Sequence, residues 1–227
     1  MAEMPTGKEP TGSGAGPGHD VDERATARAR ARYDRIAPVY DLMESMMERS
    51  GASKWRSMLW SQVQGPRLLD AGAGTGKNFP YYPPGTRVTA VDLSPRMLAK
   101  ARRRAEEMGL DVDIRLGDVQ SLGFPDGFFD TVVATFVFCS VPDPVLGLKE
   151  LGRVTRPGGQ ILLLEHVRAQ GLLGRVMDLM NPVVVRMQGV NINRRTVDNV
   201  RAAGLRVVQV KDLWPDIVKL VVASPGT

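Results

Sequence analysis

Three carboxylates and three glycines carry the first chemical signal in this chain. Asp70 closes the apolar pair Leu68-Leu69 and opens onto Gly72, Gly74 and Gly76, in the run Arg67-Leu-Leu-Asp-Ala-Gly-Ala-Gly-Thr-Gly76. Asp92 closes Arg87-Val-Thr-Ala-Val, and Asp118 follows Val112–Leu116 through Gly117. Each acid stands at the carboxyl end of a run that reads as a strand, which is the edge where open parallel sheets bind ligands. Glycines without a Cβ let backbone pass close to such a ligand. The spacing excludes two common phosphate binders. A dinucleotide fingerprint needs a third glycine where Lys77 stands, and a Walker loop needs Ser or Thr after Gly76-Lys77, where the chain has Asn78.

The elements that must position these groups follow the same beat. After the glycine turn, Lys77 to Tyr82 can open a helix whose amides point at the site, closed by Pro83-Pro84-Gly85. Ser94-Pro95 starts a helix with Ser as N-cap and Pro at the first helical position. That helix runs through Met97, Leu98, Ala101 and Ala105 to Gly109, and its Lys100-Ala-Arg-Arg-Arg104 reads as a solvated face. Asp126-Gly127 turns into a buried central strand, Phe129–Phe138, and a helix from Asp143 or Pro144 stops at Arg156-Pro-Gly-Gly159. A strand over 160–167 then ends in Glu165-His166, and 205–210 and 217–223 read as closing strands.

The order D-x-G-x-G-x-G, Asp92, Asp118 and R-P-G-G resembles the class I S-adenosylmethionine-dependent methyltransferases over roughly Tyr33 to Gly159. The resemblance implies an α/β fold: a Rossmann-like, doubly wound sheet of seven mostly parallel strands, helices on both faces and an antiparallel edge. It implies S-adenosylmethionine as cofactor, S-adenosylhomocysteine as product and no metal. In the family the second acid accepts from the ribose hydroxyls and the third lies beside the adenine amino group. Asp92 and Asp118 take those roles, which suit groups that only accept when ionised. Asp70 acts indirectly, on the glycine turn or the cationic end of the cofactor. The implied cofactor set is Asp70, Gly72, Ala73, Gly74, Thr75, Gly76, Asn78, Asp92, Leu93, Met97, Gly117, Asp118, Val119, Thr135 and Phe136.

The acceptor side is less determined. Tyr33-Asp-Arg-Ile-Ala-Pro-Val-Tyr40-Asp41 resembles the entry phrase of the ubiquinone/menaquinone C-methyltransferase branch, where this segment lies over the cofactor, so Tyr33 and Tyr40 are lid candidates. Leu42, Met43, Met46 and Met47 share one helical face, which packs as core or forms a flexible lid. Phe138-Cys-Ser-Val141, Glu165-His166-Val167 and Asn191-Ile-Asn-Arg-Arg-Thr196 look more like the branch of phosphatidylethanolamine N-methyltransferases and thiol S-methyltransferase-like proteins. His166 is the candidate general base, against a structural histidine, and Cys139 borders the substrate or is simply packed. The segment 169–195 mixes Leu172, Leu173, Val176, Met177, Leu179, Met180 and Met187 with Arg175, Arg186, Arg194 and Arg195. It reads as a substrate cap contributing Met177 and Met180, a dimer contact, a membrane-surface patch or core.

Length and composition fit one domain with a tail. Residues 1–20 carry almost no large apolar side chain and read as a disordered tail, 21–64 as a helical lid with Pro38 limiting its first helix, and 65–227 as the methyltransferase domain. The net charge of +5 is local: residues 168–206 carry seven arginines against Asp178 and Asp198. One cysteine and two histidines exclude a disulfide framework and argue against structural zinc. With no apolar run of membrane-spanning length and no secretory layout, the expectation is a cytoplasmic protein, monomer or homodimer, with peripheral membrane contact left open. Thr135-Phe-Val-Phe-Cys139 stands where a nucleic-acid methyltransferase would show an N-P-P-Y-type motif, so no nucleic-acid partner is expected. The reading is methyl transfer to a small apolar or lipid-linked thiol or amine. Its alternatives are a quinone-type C-methyltransferase and a non-catalytic cofactor-binding module.

Overall fold

The computed structural model describes residues 21–47, 51–214 and 216–226, without the side chains of 39, 42–47, 187 and 188. The expected tail over 1–20 and the side chains of Met43, Met46 and Met47 therefore lie outside the described residues.

Seven strands form one sheet: β1 (Arg67–Ala71), β2 (Arg87–Asp92), β3 (Asp113–Leu116), β4 (Phe129–Thr135), β5 (Thr155–His166), β6 (Arg206–Trp214) and β7 (Val218–Ser224). Their order is β3-β2-β1-β4-β5-β7-β6. β7 runs antiparallel to both β5 and β6, and the other pairings are parallel. This is the expected doubly wound architecture with its antiparallel edge. The order reverses between β1 and β4, so a crevice opens there at the strands' carboxyl ends.

Alternation along β1 and β2 assigns the two faces. Leu69, Ala71 and Val91 pack with helix α4 (Pro144–Val154) and with Val200 of helix α6 (Thr196–Ala202). Leu68 and Val88 pack with Leu59 and Trp60 of helix α2 (Ser53–Trp60) on the other side. On that side Ala90 meets Ala101 and Ala105 of helix α3 (Pro95–Met108). The predicted cap is present: the Ser94 side chain accepts from Met97 N, and Gly109 ends α3 with φ 62°.

Strand β5 already begins at Thr155, taking in Arg156-Pro-Gly-Gly159, and β6 runs on to Trp214. Three further elements differ from the sequence expectation. Helix α1 (Glu23–Met47) runs through Pro38. The body holds it on both sides of the proline, because Asp34 accepts from the Ser94 hydroxyl at 2.6 Å and Asp41 from Thr75 at 2.8 Å and Lys100 at 2.9 Å. Those contacts offset a defect that costs about 3 kcal/mol in an unsupported helix. The helix expected over 77–82 is only a 3₁₀ turn, Phe79–Tyr81, because Pro80 lacks an N–H and Pro83-Pro84 follows. Strand β4 ends at Thr135 rather than Phe138, since Phe136 adopts φ 57° and turns the chain. A fourth element, helix α5 (Gly171–Gln188), occupies most of the segment expected to be a cap.

Candidate functional site: a cofactor cleft at the sheet's switch point

An open cleft lies over the carboxyl ends of β1, β2, β3 and β4. The glycine turn forms its floor. Gly72 and Ala73 both donate to the Val91 carbonyl, at 2.7 and 3.0 Å, which pins the turn to the neighbouring strand. Gly72, Gly74 and Gly76 all have positive φ, at 77°, 58° and 80°. A Cβ on Gly72 would stand 2.4 Å from Val137, and one on Gly76 2.6 Å from Phe79, so those two glycines are required by packing as well as by backbone. Gly74 is different. A Cβ there would meet no protein atom within 4 Å, and the residue lines the cleft, so its missing side chain leaves room for a ligand.

The three acids do different jobs. Asp92 accepts from Gly74 N at 2.9 Å and from Ser94 N at 2.8 Å, which ties the glycine turn to the start of α3. Burial pushes its carboxyl upward, partly opposed by those two amides. Asp118 accepts from Gln120 N at 2.9 Å, from the Gln120 side chain, and from Thr26 of α1 at 3.1 Å. Both line the cleft. Asp70 does not. It lies fully buried beneath the turn, accepting from Asn78 Nδ2 at 2.9 and 3.0 Å and from the Tyr82 hydroxyl at 2.7 Å. Its burial raises the carboxyl to about 6, with the Tyr82 and Asn78 hydrogen bonds opposing. Asp70 therefore acts through Asn78, which does line the cleft.

Helix α1 roofs the cleft with Ala29, Tyr33 and Tyr40, positions 0, 4 and 11 of one helical face. Tyr33 and Tyr40 meet edge to face, ring centroids 6.3 Å apart. Burial holds the Tyr33 phenol far above its ordinary value, so it stays neutral. The Asp34 and Asp41 contacts described above fasten this roof to the first turn of α3 and to the glycine turn, with Lys77 and Arg104 also near Asp41 at 3.9 and 3.6 Å.

The wall beyond Thr135 is built on a strained residue. Phe136 is bulky and left-handed, a conformation that costs free energy and persists only where neighbours enforce it. Its N–H donates to the Leu164 carbonyl at 2.8 Å, and Oε1 of Glu165 accepts from Val137 N at 2.9 Å and Phe138 N at 3.1 Å. Burial lifts the Glu165 carboxyl to about 8, with the two amides opposing. Asn191 donates its N–H, at 2.8 Å, and its side-chain amide, at 3.2 Å, to the Cys139 carbonyl, and Arg194 donates to the Val141 carbonyl at 2.8 Å. The three phrases around 138–141, 165–167 and 191–196, far apart in sequence, thus form one scaffold behind the cleft wall.

Of the cofactor residues expected from sequence, Gly72, Ala73, Gly74, Thr75, Asn78, Asp92, Leu93, Met97, Gly117, Asp118, Val119, Thr135 and Phe136 all line the cleft. Asp70 and Gly76 support it from below. The acceptor-side residues fare differently. His166 does not line the cleft; it lies against Phe136, ring centroids 5.0 Å apart, and burial lowers its pKa. The Cys139 thiol is buried, turned to the Phe136 carbonyl and pushed well up by burial, so it is neither lining nor nucleophilic. Met177 is turned inward, its sulfur accepting from Ala169 N at 3.4 Å, and Met180 faces outward from α5. Neither reaches the cleft, so α5 does not cap it in this structure.

Sequence reasoning missed Arg56, Lys77, Ser140, Val141 and Pro142, all of which line the cleft. Arg56 is buried, donates to Asn78 Oδ1 at 2.7 Å and lies over the Phe136 ring at 5.6 Å. A signal for it was present: 56, 59 and 60 fall on the buried face of α2, so an arginine occupies a core position. No helix among the described residues is long and apolar enough to cross a membrane.

Comparison with known proteins agrees with this geometry. A model of the methyltransferase domain family matches residues 69–163, from the glycine turn to β5. The phosphatidylethanolamine N-methyltransferase of Cereibacter sphaeroides is 40% identical over 147 residues, 63% of this chain and 71% of that protein. A human (Homo sapiens) thiol S-methyltransferase is 38% identical over 119 residues, 48% of this chain and 49% of that protein. The chain thus spans from about half to seven tenths of these relatives' own length. An S-adenosylmethionine-dependent methyltransferase structure from Thermotoga maritima superposes with a TM-score of 0.67 at 21% identity, covering 86% of this chain and 99% of the other, which establishes a shared fold. With a glycine turn open at Gly74, acids at successive strand ends, the family match over residues 69–163 and 40% identity to a relative of whose length this chain covers 71%, the chain belongs to the class I S-adenosylmethionine-dependent methyltransferases.

Proposed function

We propose that this chain is a cytoplasmic enzyme that transfers a methyl group to a small apolar or lipid-linked acceptor, at a thiol sulfur or an amine nitrogen. The observation that carries this reading is the division of the cleft into two unlike halves. One half is the glycine turn with Asp92 and Asp118; the other is Tyr33, Tyr40, Phe136, Val137, Val141 and Pro142, aromatic and aliphatic with Ser140 among them. The polar half suits a nucleoside and the apolar half suits an acceptor that sheds water on entry. The 138–141, 165–167 and 191–196 phrases resemble the branch of phosphatidylethanolamine N-methyltransferases and thiol S-methyltransferase-like proteins, and relatives named for amine and thiol methylation are among those the chain matches, which supports a thiol or amine.

Bound in the polar half, S-adenosylmethionine supplies an electrophilic methyl group on a sulfonium. Asp92 would accept from the ribose hydroxyls, and Asp118 would hold the adenine amino group. Arg56 and Lys77 are the cations near the turn that suit the cofactor's carboxylate. The Glu165-held wall fixes Phe136 and Val137, and the Tyr33–Tyr40 roof would exclude water, so these residues would orient an acceptor toward the methyl group.

The direct test supplies methyl-labelled cofactor to the purified protein with an alkyl thiol, phosphatidylethanolamine in mixed micelles, and a demethylated quinone, and identifies each product by mass spectrometry. Label on sulfur or nitrogen is the expected result. Label confined to a quinone ring carbon, or cofactor binding with no transfer to any acceptor, would sink the proposal.

A further inference from the structure

Helix α5 is amphipathic in the wrong sense for a helix that serves only the core. Gly174, Met177, Asn181, Val184 and Val185 share its inward face, where Gly174 is buried and the other four are half-buried. That side is held by polar contacts. Oδ1 of Asn181 accepts from Ile192 N at 2.9 Å, the Met177 sulfur accepts from Ala169 N, and Arg168 pairs with Asp178 at 2.7 Å. The outward face carries Leu172, Leu173, Val176, Leu179, Met180 and Val183, all exposed, with Leu172 at 77% and Leu179 at 78%. Their spacing of 0, 1, 4, 7, 8 and 11 is one continuous stripe. Exposing such a stripe to water is unfavourable, and monomeric proteins seldom do so without a partner.

Charge identifies that partner. Arg175 and Arg186 are exposed and fall together on one margin of the stripe, at about 300° and 320° on a wheel where Leu172 is the origin. The helix carries one acid, Asp178, which lies off the stripe and is engaged by Arg168. Leucine and methionine bordered by arginine match the boundary of an anionic lipid leaflet, where the apolar side chains enter the acyl region and guanidinium groups remain among the phosphates. A second copy of the chain matches less well, since a two-fold contact through the stripe sets two arginine-bordered faces against each other with no free acid between them.

We propose that α5 is an in-plane membrane anchor that binds the surface of anionic bilayers through Leu172, Leu173, Val176, Leu179, Met180 and Val183, with Arg175 and Arg186 at the phosphates. The anchor does not depend on which acceptor is methylated, because the stripe lies outside the cleft and its binding is measured without cofactor or acceptor.

The test is sedimentation of the full chain with vesicles of phosphatidylcholine alone or mixed with phosphatidylglycerol. Binding to the mixed vesicles at least 10-fold stronger than to phosphatidylcholine, weakening with salt, is expected. The double variant Leu172→Glu/Leu179→Glu loses at least 10-fold of that binding, and Arg175→Gln/Arg186→Gln loses the preference for anionic lipid, while both keep the parent's melting temperature and cofactor affinity. The proposal is overturned by absence of vesicle binding, or by equal binding of the Leu172→Glu/Leu179→Glu variant. It is also overturned if light scattering shows a dimer that this variant dissociates, which would make the stripe a contact between copies.

Discussion

Helices α3 and α5 are both amphipathic, and they point their apolar faces in opposite directions. Met97, Leu98, Ala101 and Ala105 of α3 are buried against the sheet; Arg102 and Arg103 stay exposed, whereas Lys100 and Arg104, expected on a solvated face, are half-buried because they pair with Asp41 of α1. Helix α5 presents Leu172, Leu179 and Val183 to solvent and is held to the body by Asn181, Met177 and the Arg168–Asp178 pair. The difference teaches that a hydrophobic stripe specifies a face to be covered and says nothing of what covers it. α3 belongs to the cofactor half, where the body supplies the cover. α5 lies outside the cleft, and its stripe meets solvent.

Carboxylates divide the same way. Glu165, sealed behind the cleft wall, is pushed up to about 8 by burial, whereas exposed Asp178 is drawn down to about 2 by its hydrogen bonds from Arg168 and Asn193. Inside, a charge opposes the fold; outside, a charge simply finds a partner.

The largest expected effect tests the helix contrast directly. Leu98→Ala should cost roughly 3–5 kcal/mol in urea unfolding, because it leaves a cavity under α3. Equal costs for Leu98→Ala and Leu179→Ala would break the comparison.

Glu165 sharpens it next. Its folded-state pKa of about 8 lies above the value of 4.5 for an unburied side chain, so its contribution to stability is complete below pH 4.5. That contribution is lost as pH rises through 8, since the unfolded chain releases a proton that the folded one retains. Wild type should lose about 3 kcal/mol relative to Glu165→Gln between pH 5 and 8, measured by denaturation at each pH. A pH-independent difference between the two would show that Glu165 is ionised in the fold.

Asp92→Ala should weaken cofactor binding by about 2 kcal/mol, some 30-fold by calorimetry, by removing the tie to Gly74 and the acceptor proposed for the ribose. Unchanged affinity would remove Asp92 from the cofactor set. Ser94→Ala should cost about 1 kcal/mol of stability, since it deletes both the cap of α3 and the donor to Asp34 on the roof. The smallest effect belongs to α5: Leu179→Ala should change stability by less than about 0.5 kcal/mol, as expected of a side chain that the fold does not cover.

The cofactor half was legible because each of its parts is local. A glycine forced to positive φ, an acid closing a strand and Ser-Pro starting a helix are properties of a few consecutive residues, and the sheet order then brings Gly74, Asp92 and Asp118 to one edge. Short apolar runs also marked the strands, and the resemblance to the methyltransferase family implied their doubly wound arrangement. What only the tertiary structure decided is long-range. Helix α1 survives Pro38 because Ser94, Thr75 and Lys100 hold Asp34 and Asp41 from another part of the chain. Arg56 reaches the cleft because α2 packs beside Asn78. His166 and Cys139 carry reactive groups, yet the turn at Phe136 leaves both outside the cleft. The direction of α5 was hidden for the same reason: periodicity records that one face differs from the other, and only packing against the body selects which of them turns inward.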